Sequence, residues 1–194
     1  MHAPAAIRHA GTLPRPRTLV HPGPFDPVRI HSRSSARGRH LRLLLAPGAT
    51  LLEALVEPLA RRGIASASTT ILGGAFERLD YCVAPPDPSR AAVIAYTRPM
   101  AAGAVWMVFG NATVGKGLDG RPLVHCHAAI RTEAGEVRGG HVVPATSRVG
   151  ARPIAVLVTS LDEFELRVAF DPETNIALMQ PQPRAASPEV AHDD

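Results

Sequence analysis

Between Leu41 and Met179 the chain holds only three histidines, His125, His127 and His141. Five of the other six fall at or before His40 and the last is His192, so the body collects its imidazoles in one short stretch. Gathered imidazoles point to a metal ion. Three neutral ring nitrogens suit Zn²⁺ and leave a fourth tetrahedral position for water or substrate, as in catalytic rather than closed structural zinc sites. Copper, nickel and ferrous iron also accept imidazole, so the expected cofactor is zinc or another divalent transition metal. A His-x-His pair alone is a weak signal, because single histidines in strands are usually packed or exposed without a ligand role. The third histidine, and the geometry that brings it in, make the difference.

That geometry has to come from a β-hairpin. The runs Pro122–Arg131 and Val137–Val143 are rich in apolar residues and flank the turn signal Glu133-Ala134-Gly135, the pattern of two antiparallel strands. Side chains alternate across a strand, so His125 and His127 share a face while Cys126 points the other way. A two-residue turn at Ala134-Gly135 would pair Glu133 with Glu136 and put His141 on the wrong face. A three-residue loop, with Gly135 in the left-handed position of a G1 bulge, pairs Thr132 with Glu136 instead. His127 then faces His141 directly, with His125 diagonally behind and within side-chain reach. Cys126 reads as a small core residue rather than a fourth ligand. The Gly139-Gly140 pair just before His141 reads both as a bulge and as a place where a ligand or neighbouring chain approaches the backbone.

The same residues carry a family resemblance. His125-Cys-His127-Ala-Ala-Ile130 followed by Gly135-Glu-Val-Arg-Gly139-Gly140-His141 resembles the hallmark of the PPC domain, also called the PCC domain. Leu41–Gly48 ahead of a helix is similar to that domain's first strand and helix, and Val105–Asn111 resembles its central strand. The likeness spans about Arg39 to Met179. It implies a domain that assembles as a homotrimer, is linked to DNA-binding AT-hooks in plants and stands alone in bacteria and archaea. It also implies that His125, His127 and His141 can hold zinc in prokaryotic members. Two departures are Cys126, where an apolar residue is usual, and a proline-rich loop from Ala84 to Arg90.

No nucleophile motif or nucleotide fingerprint is present. Gly110-Asn-Ala-Thr-Val-Gly115-Lys116-Gly117 superficially resembles a phosphate loop, yet no Ser or Thr follows Lys116 and no helix pattern follows. Glu133 and Glu136 sit at the turn, too far along the strands from the histidines to serve as a general base. Catalytic residues therefore stay unassigned, and whether the protein is an enzyme stays open.

Around the hairpin the sequence reads as one helix among strands. Thr50-Leu-Leu-Glu53 is a capping box, and Leu51, Leu52, Leu55, Val56 and Leu59 form an apolar stripe that Gly63 ends. Pro58 removes the bond to Ala54 and should loosen the last turn. Strands are expected at about Ala65–Leu72, Phe76–Val83, Ala92–Tyr96, Val105–Val114, Leu123–Arg131, Val137–Pro144, Ile154–Ser160 and Glu163–Ala169. The expected class is α+β: a mostly antiparallel, curved β-sheet covered by one principal helix. Such a sheet is too large for one helix to cover, which agrees with a homotrimer.

The 194 residues suffice for one core plus tails. Domains are read as a basic, Pro-rich disordered arm (1–38), the PPC-like domain (39–179) and a disordered C-terminal tail (180–194). With aromatics at 4%, the core must be built from Leu, Val, Ile and Ala. Cys82 and Cys126 make no disulfide framework, so a reducing, cytoplasmic setting is expected. No apolar run approaches the roughly 20 residues that span a bilayer. Residues 1–40 carry seven Arg against Asp26, a balance of +6, while the remainder holds 14 basic and 16 acidic residues, −2. Contact with DNA should therefore be weak, non-specific and confined to the arm. Arg37-Gly38-Arg39 resembles an AT-hook core, but His40 stands where proline should follow. Two functions follow. One is a metal centre that binds or transforms a small-molecule ligand; the other is a trimeric regulatory or DNA-associated module with a structural metal.

Overall fold

Leu41, Leu43 and Leu45 alternate with His40, Arg42 and Leu44, and this period of two opens the sheet as β1 (His40–Leu45). The structure, a computed structural model, describes residues 19–28 and 31–184. Helix α1 (Leu51–Ala60) follows, started by the expected capping box. The Glu53 amide donates to Thr50 Oγ1 at 3.2 Å, and the Thr50 amide donates to Glu53 Oε2 at 2.9 Å. These bonds hold the Glu53 carboxyl below its usual range, the Thr50 backbone contact first. Leu51, Ala54, Leu55 and Leu59 are buried. Past Pro58 the chain tightens into shorter turns, with Arg62 N–H on Leu59 O (3.0 Å) and Gly63 N–H on Ala60 O (2.9 Å).

The strands are β2 (Ala67–Ile71), β3 (Gly74–Cys82), β4 (Met100–Lys116), β5 (Pro122–Thr132), β6 (Val137–Val142), β7 (Arg148–Val149), β8 (Ile154–Ser160), β9 (Phe164–Asp171) and β10 (Ile176–Pro183). They form one ten-stranded sheet, in the order β1-β8-β2-β4-β5-β6-β3-β7 with the β9–β10 hairpin attached through β4. Every ladder is antiparallel except the single β4–β9 contact, Lys116 with Arg167. The sheet curls because β4 is long. Its later half pairs with β5 and β2, its first half pairs with β3, and β3 also pairs with β6. Strands β4, β5, β6 and β3 thus close a circuit. Val124, Cys126, Ala128 and Ile130 of β5 are buried on the face that α1 packs against. The expected class, a mostly antiparallel curved sheet with one principal helix, is the class observed.

Four local expectations need correction. Ala92–Tyr96 is not a strand: it returns along the 84–90 loop through an isolated Pro86–Ile94 bridge and the Ala95 N–H on Pro85 O at 3.0 Å. Pro85, Pro86 and Pro88 lack the donors that a continuous ladder requires. Conversely, the chain does not leave the fold at Met179, since β10 runs on to Pro183. Pro181 and Pro183 are tolerated because β10 is an edge strand whose only partner is β9. Gly139-Gly140 is no bulge, as β5 and β6 pair without a register shift. A Cβ at Gly140 would stand 2.5 Å from Cys82 O and one at Gly139 would stand 2.7 Å from Ala128 O, so the pair lets neighbouring strands close in.

The fourth concerns the arm, where residues 19–28 form no regular element yet are anchored on the β9–β10 turn. Gly23 N–H donates to Glu173 O (2.9 Å), Asp26 N–H to Glu173 Oε2 (2.9 Å), and His21 Nδ1 lies 2.7 Å from Glu173 Oε1. Arg39 is likewise engaged, with Asp162 at 2.9 Å and the Arg62 carbonyl at 2.7 Å. The expectations of disorder for 1–18 and 185–194 lie outside the described residues.

Candidate metal centre

The hairpin has the register that the turn chemistry predicts. Gly135 takes φ 83°, Gly135 N–H donates to Thr132 O at 2.9 Å and Thr132 N–H donates to Glu136 O at 2.9 Å. His127 pairs with His141 across β5 and β6, and Cys126 pairs with Val142. Cys126 is fully buried on the core side, where burial pushes its thiol up to about 12. It points away from the face that carries the three imidazoles.

On the outer face the sheet lays out residues in rows. One row runs Leu157, Thr70, Asn111, His127 and His141, and the next runs Thr159, Ser68, Thr113 and His125. The three imidazoles meet where the rows adjoin. Ring centroids are 4.9 Å apart for His125–His127, 4.6 Å for His125–His141 and 5.5 Å for His127–His141. One nitrogen from each lies within 4.8 Å of the other two, and this is the one such group of three or more among the described residues. A tetrahedral ion with bonds of about 2.1 Å needs nitrogens roughly 3.4 Å apart, so small ring rotations would complete the set.

Two further observations fit a cation. His141 Nδ1 is buried and has no hydrogen-bond partner among the described residues, a costly state unless something else occupies its lone pair. Burial first, then the neighbouring imidazoles His125 and His127, lowers His141 to about 4. Burial and His127 lower His125 as well. Both rings are therefore neutral at pH 7, the form that ligates a metal.

The same shift predicts how the metal-free protein responds to acid. An unfolded chain protonates this imidazole near 6.5, the folded one only near 4, so between these values proton uptake favours unfolding. Stability is fully present above about pH 6.5 and lost as pH falls through about 4, by on the order of 1–2 kcal/mol once solvent screening of a half-buried ring is allowed for. Urea unfolding of metal-free wild type and His141→Ala at pH 7 and 4.5 would show it. Equal losses in the two proteins would contradict it.

Among the described residues no carboxylate joins the cluster. Glu136 is exposed and paired with Arg138 at the turn, as its distance from the histidines in sequence suggests. What the sequence does not announce is Tyr96, whose ring centroid lies 5.3 Å from that of His141. It arrives on the loop that the composition of Ala92–Tyr96 disguises as a strand. Beside it lies a cavity of about 700 Å³ lined by His125, His141, Tyr96 and one side of the β9–β10 hairpin.

Residues 32–162 match the Plants and Prokaryotes Conserved (PCC) domain. Among solved structures the chain is similar to a metal-containing protein from Archaeoglobus fulgidus (22% identity, TM-score 0.59, covering 78% of this chain and 98% of that one). It is similar to a candidate DNA-binding protein from Ralstonia eutropha JMP134 (22%, 0.56, 71% and 88%). A third is a plant- and prokaryote-conserved (PPC) protein from Pyrococcus horikoshii (20%, 0.53, 76% and 93%). At these identities the likeness shows the fold. No curated protein matches the chain.

Proposed function

This chain belongs to the Plants and Prokaryotes Conserved (PCC) domain family, and from that premise we propose that it is a metal-binding protein. In this reading His125, His127 and His141 hold one divalent transition-metal ion, zinc first, with a coordination position left for a small molecule. The observation that carries the reading is the buried, unpartnered Nδ1 of His141 beside two more imidazoles. The metal-containing relative from Archaeoglobus fulgidus supports it. Bound zinc would supply Lewis acidity or a water activated near neutral pH. The chain's own part is to fix three neutral donors on two paired strands and keep carboxylates away. Titration of metal-free, tag-free protein with zinc should saturate at about one ion per chain. Saturation at zero, or persistence of that site in the triple alanine variant, would refute the assignment.

Assembly as a homotrimer belongs to the same proposal. Leu44 pairs with Ala155, Leu72 N–H reaches Ala155 O, and Phe109 pairs with Ala129. These residues, with Trp106 and Val108, form an apolar band next to the histidine rows. Trp106 is 57% exposed and Phe109 53%, more than an isolated chain normally leaves to water in one patch.

A second reading, association with DNA, is favoured by the +6 balance of residues 1–40 and by the relative from Ralstonia eutropha. Arg contacts to phosphate carry no base information, so such binding would be weak, sequence-blind and steeply reduced by salt. Arg39 is already committed to Asp162 and Arg62, which leaves no free Arg-Gly-Arg to enter a minor groove. An AT-selective complex that survives physiological salt in gel-shift assays would reverse the ranking of the two readings.

A further inference from the structure

The cavity beside the histidines has a composition that narrows what could occupy it. One wall comes from the β9–β10 hairpin and is apolar: Leu166, Val168, Ile176, Leu178 and Met179. Ser68, Thr113, Tyr96, His125 and His141 supply its polar groups. Among the described residues no Asp, Glu, Lys or Arg lines it. At about 700 Å³ it falls in the size range of small-molecule sites.

Charge decides the head of the ligand. A divalent ion on three neutral imidazoles keeps its full +2, and a charge without a partner in apolar surroundings is strongly disfavoured. With no acidic side chain among the described lining residues, the balancing negative charge comes from solvent or from the occupant, and an occupant that fills the cavity displaces the solvent. With no Lys or Arg either, it can bring little negative charge beyond what the metal neutralises. The hydrocarbon wall decides the rest. We propose that the site takes an aliphatic or arylalkyl monocarboxylate, its carboxylate on the metal and its apolar body against Leu166, Val168 and Met179, which share one face of the hairpin. This rests on the metal reading given above.

The pairing of the hairpin agrees with such a role. β9 touches the main sheet through the Lys116–Arg167 bridge, the Leu166 N–H on Ser66 Oγ (3.0 Å) and the Lys116–Glu165 ion pair (2.5 Å). The hairpin is held at its base and, at its tip, by Glu173 on residues 21–26. Its apolar side is left facing the cavity between the two attachments.

Cobalt(II) replaces zinc in imidazole sites and reports changes in its coordination through its visible spectrum. Full-length protein loaded with cobalt would be titrated with acetate, butyrate, hexanoate, octanoate and inorganic phosphate. The spectrum should shift saturably, and affinity should rise two- to fourfold for each added methylene, the upper figure corresponding to full burial. Phosphate should bind more weakly than octanoate. Val168→Asp should flatten the chain-length series without lowering cobalt content. A protein that takes up one cobalt but binds acetate and octanoate alike, as it would if a neighbouring copy filled the cavity, overturns the inference and leaves the metal reading standing. Tighter binding of phosphate than of octanoate overturns the inference in the same way. A protein that takes up no cobalt overturns both.

Discussion

Replacing His141 by alanine should lower zinc affinity by more than a hundredfold. Removing even a partner that only orients a metal ligand costs 10–100-fold, and in the proposed site His141 is itself a ligand. His141 is the one histidine on β6 and its Nδ1 is buried without a partner, so the donor lost cannot be replaced by a shifted neighbour. Cys126 is on the opposite face and Glu136 is held at the turn by Arg138. His127→Ala should cost less, because His127 is the exposed member of the set and water can take its place. Competition with a chromophoric chelator would rank the variants. Affinities within threefold of wild type for His141→Ala would remove this histidine from the site.

Light scattering of wild type at micromolar concentration should report about three chains, and Trp106→Arg with Phe109→Arg should report one. Burying such a side chain contributes roughly 1.5–3 kcal/mol. Two per chain in three chains, each replaced by a charge with no partner, exceed what a micromolar assembly can absorb. Because all three imidazoles come from one chain, the variant should keep its metal. A wild-type monomer, or an unchanged trimer in the double variant, would show that the apolar band is covered in some other way.

The hairpin was legible because two independent constraints in the sequence agree. Gly135 demands the three-residue loop, and only that loop puts His127 opposite His141. Helix α1 was equally legible, since the capping box at Thr50 and Glu53 is local chemistry. What escaped reading depends on partners distant in sequence. β10 carries two prolines that argue against a strand, and only its place at the sheet edge makes them harmless. Ala92–Tyr96 has strand-like composition, but the prolines it folds back on cannot complete a ladder. Both segments lie on the walls of the cavity. The clustering of the three histidines could therefore be read from sequence while Tyr96 and the apolar wall could not. Gly139-Gly140 stands out in the sequence, but its reason, the approach of the Cys82 and Ala128 carbonyls, depends on the two strands that flank β6.

The proposed function requires one metal ion among His125, His127 and His141. Anomalous X-ray scattering at the zinc edge, from crystals of untagged protein grown without chelator, tests it most directly. A single strong peak per chain about 2.0–2.1 Å from one nitrogen of each imidazole is the predicted result. A peak elsewhere in the chain, or ordered imidazoles with no peak among them in zinc-soaked crystals, would contradict it.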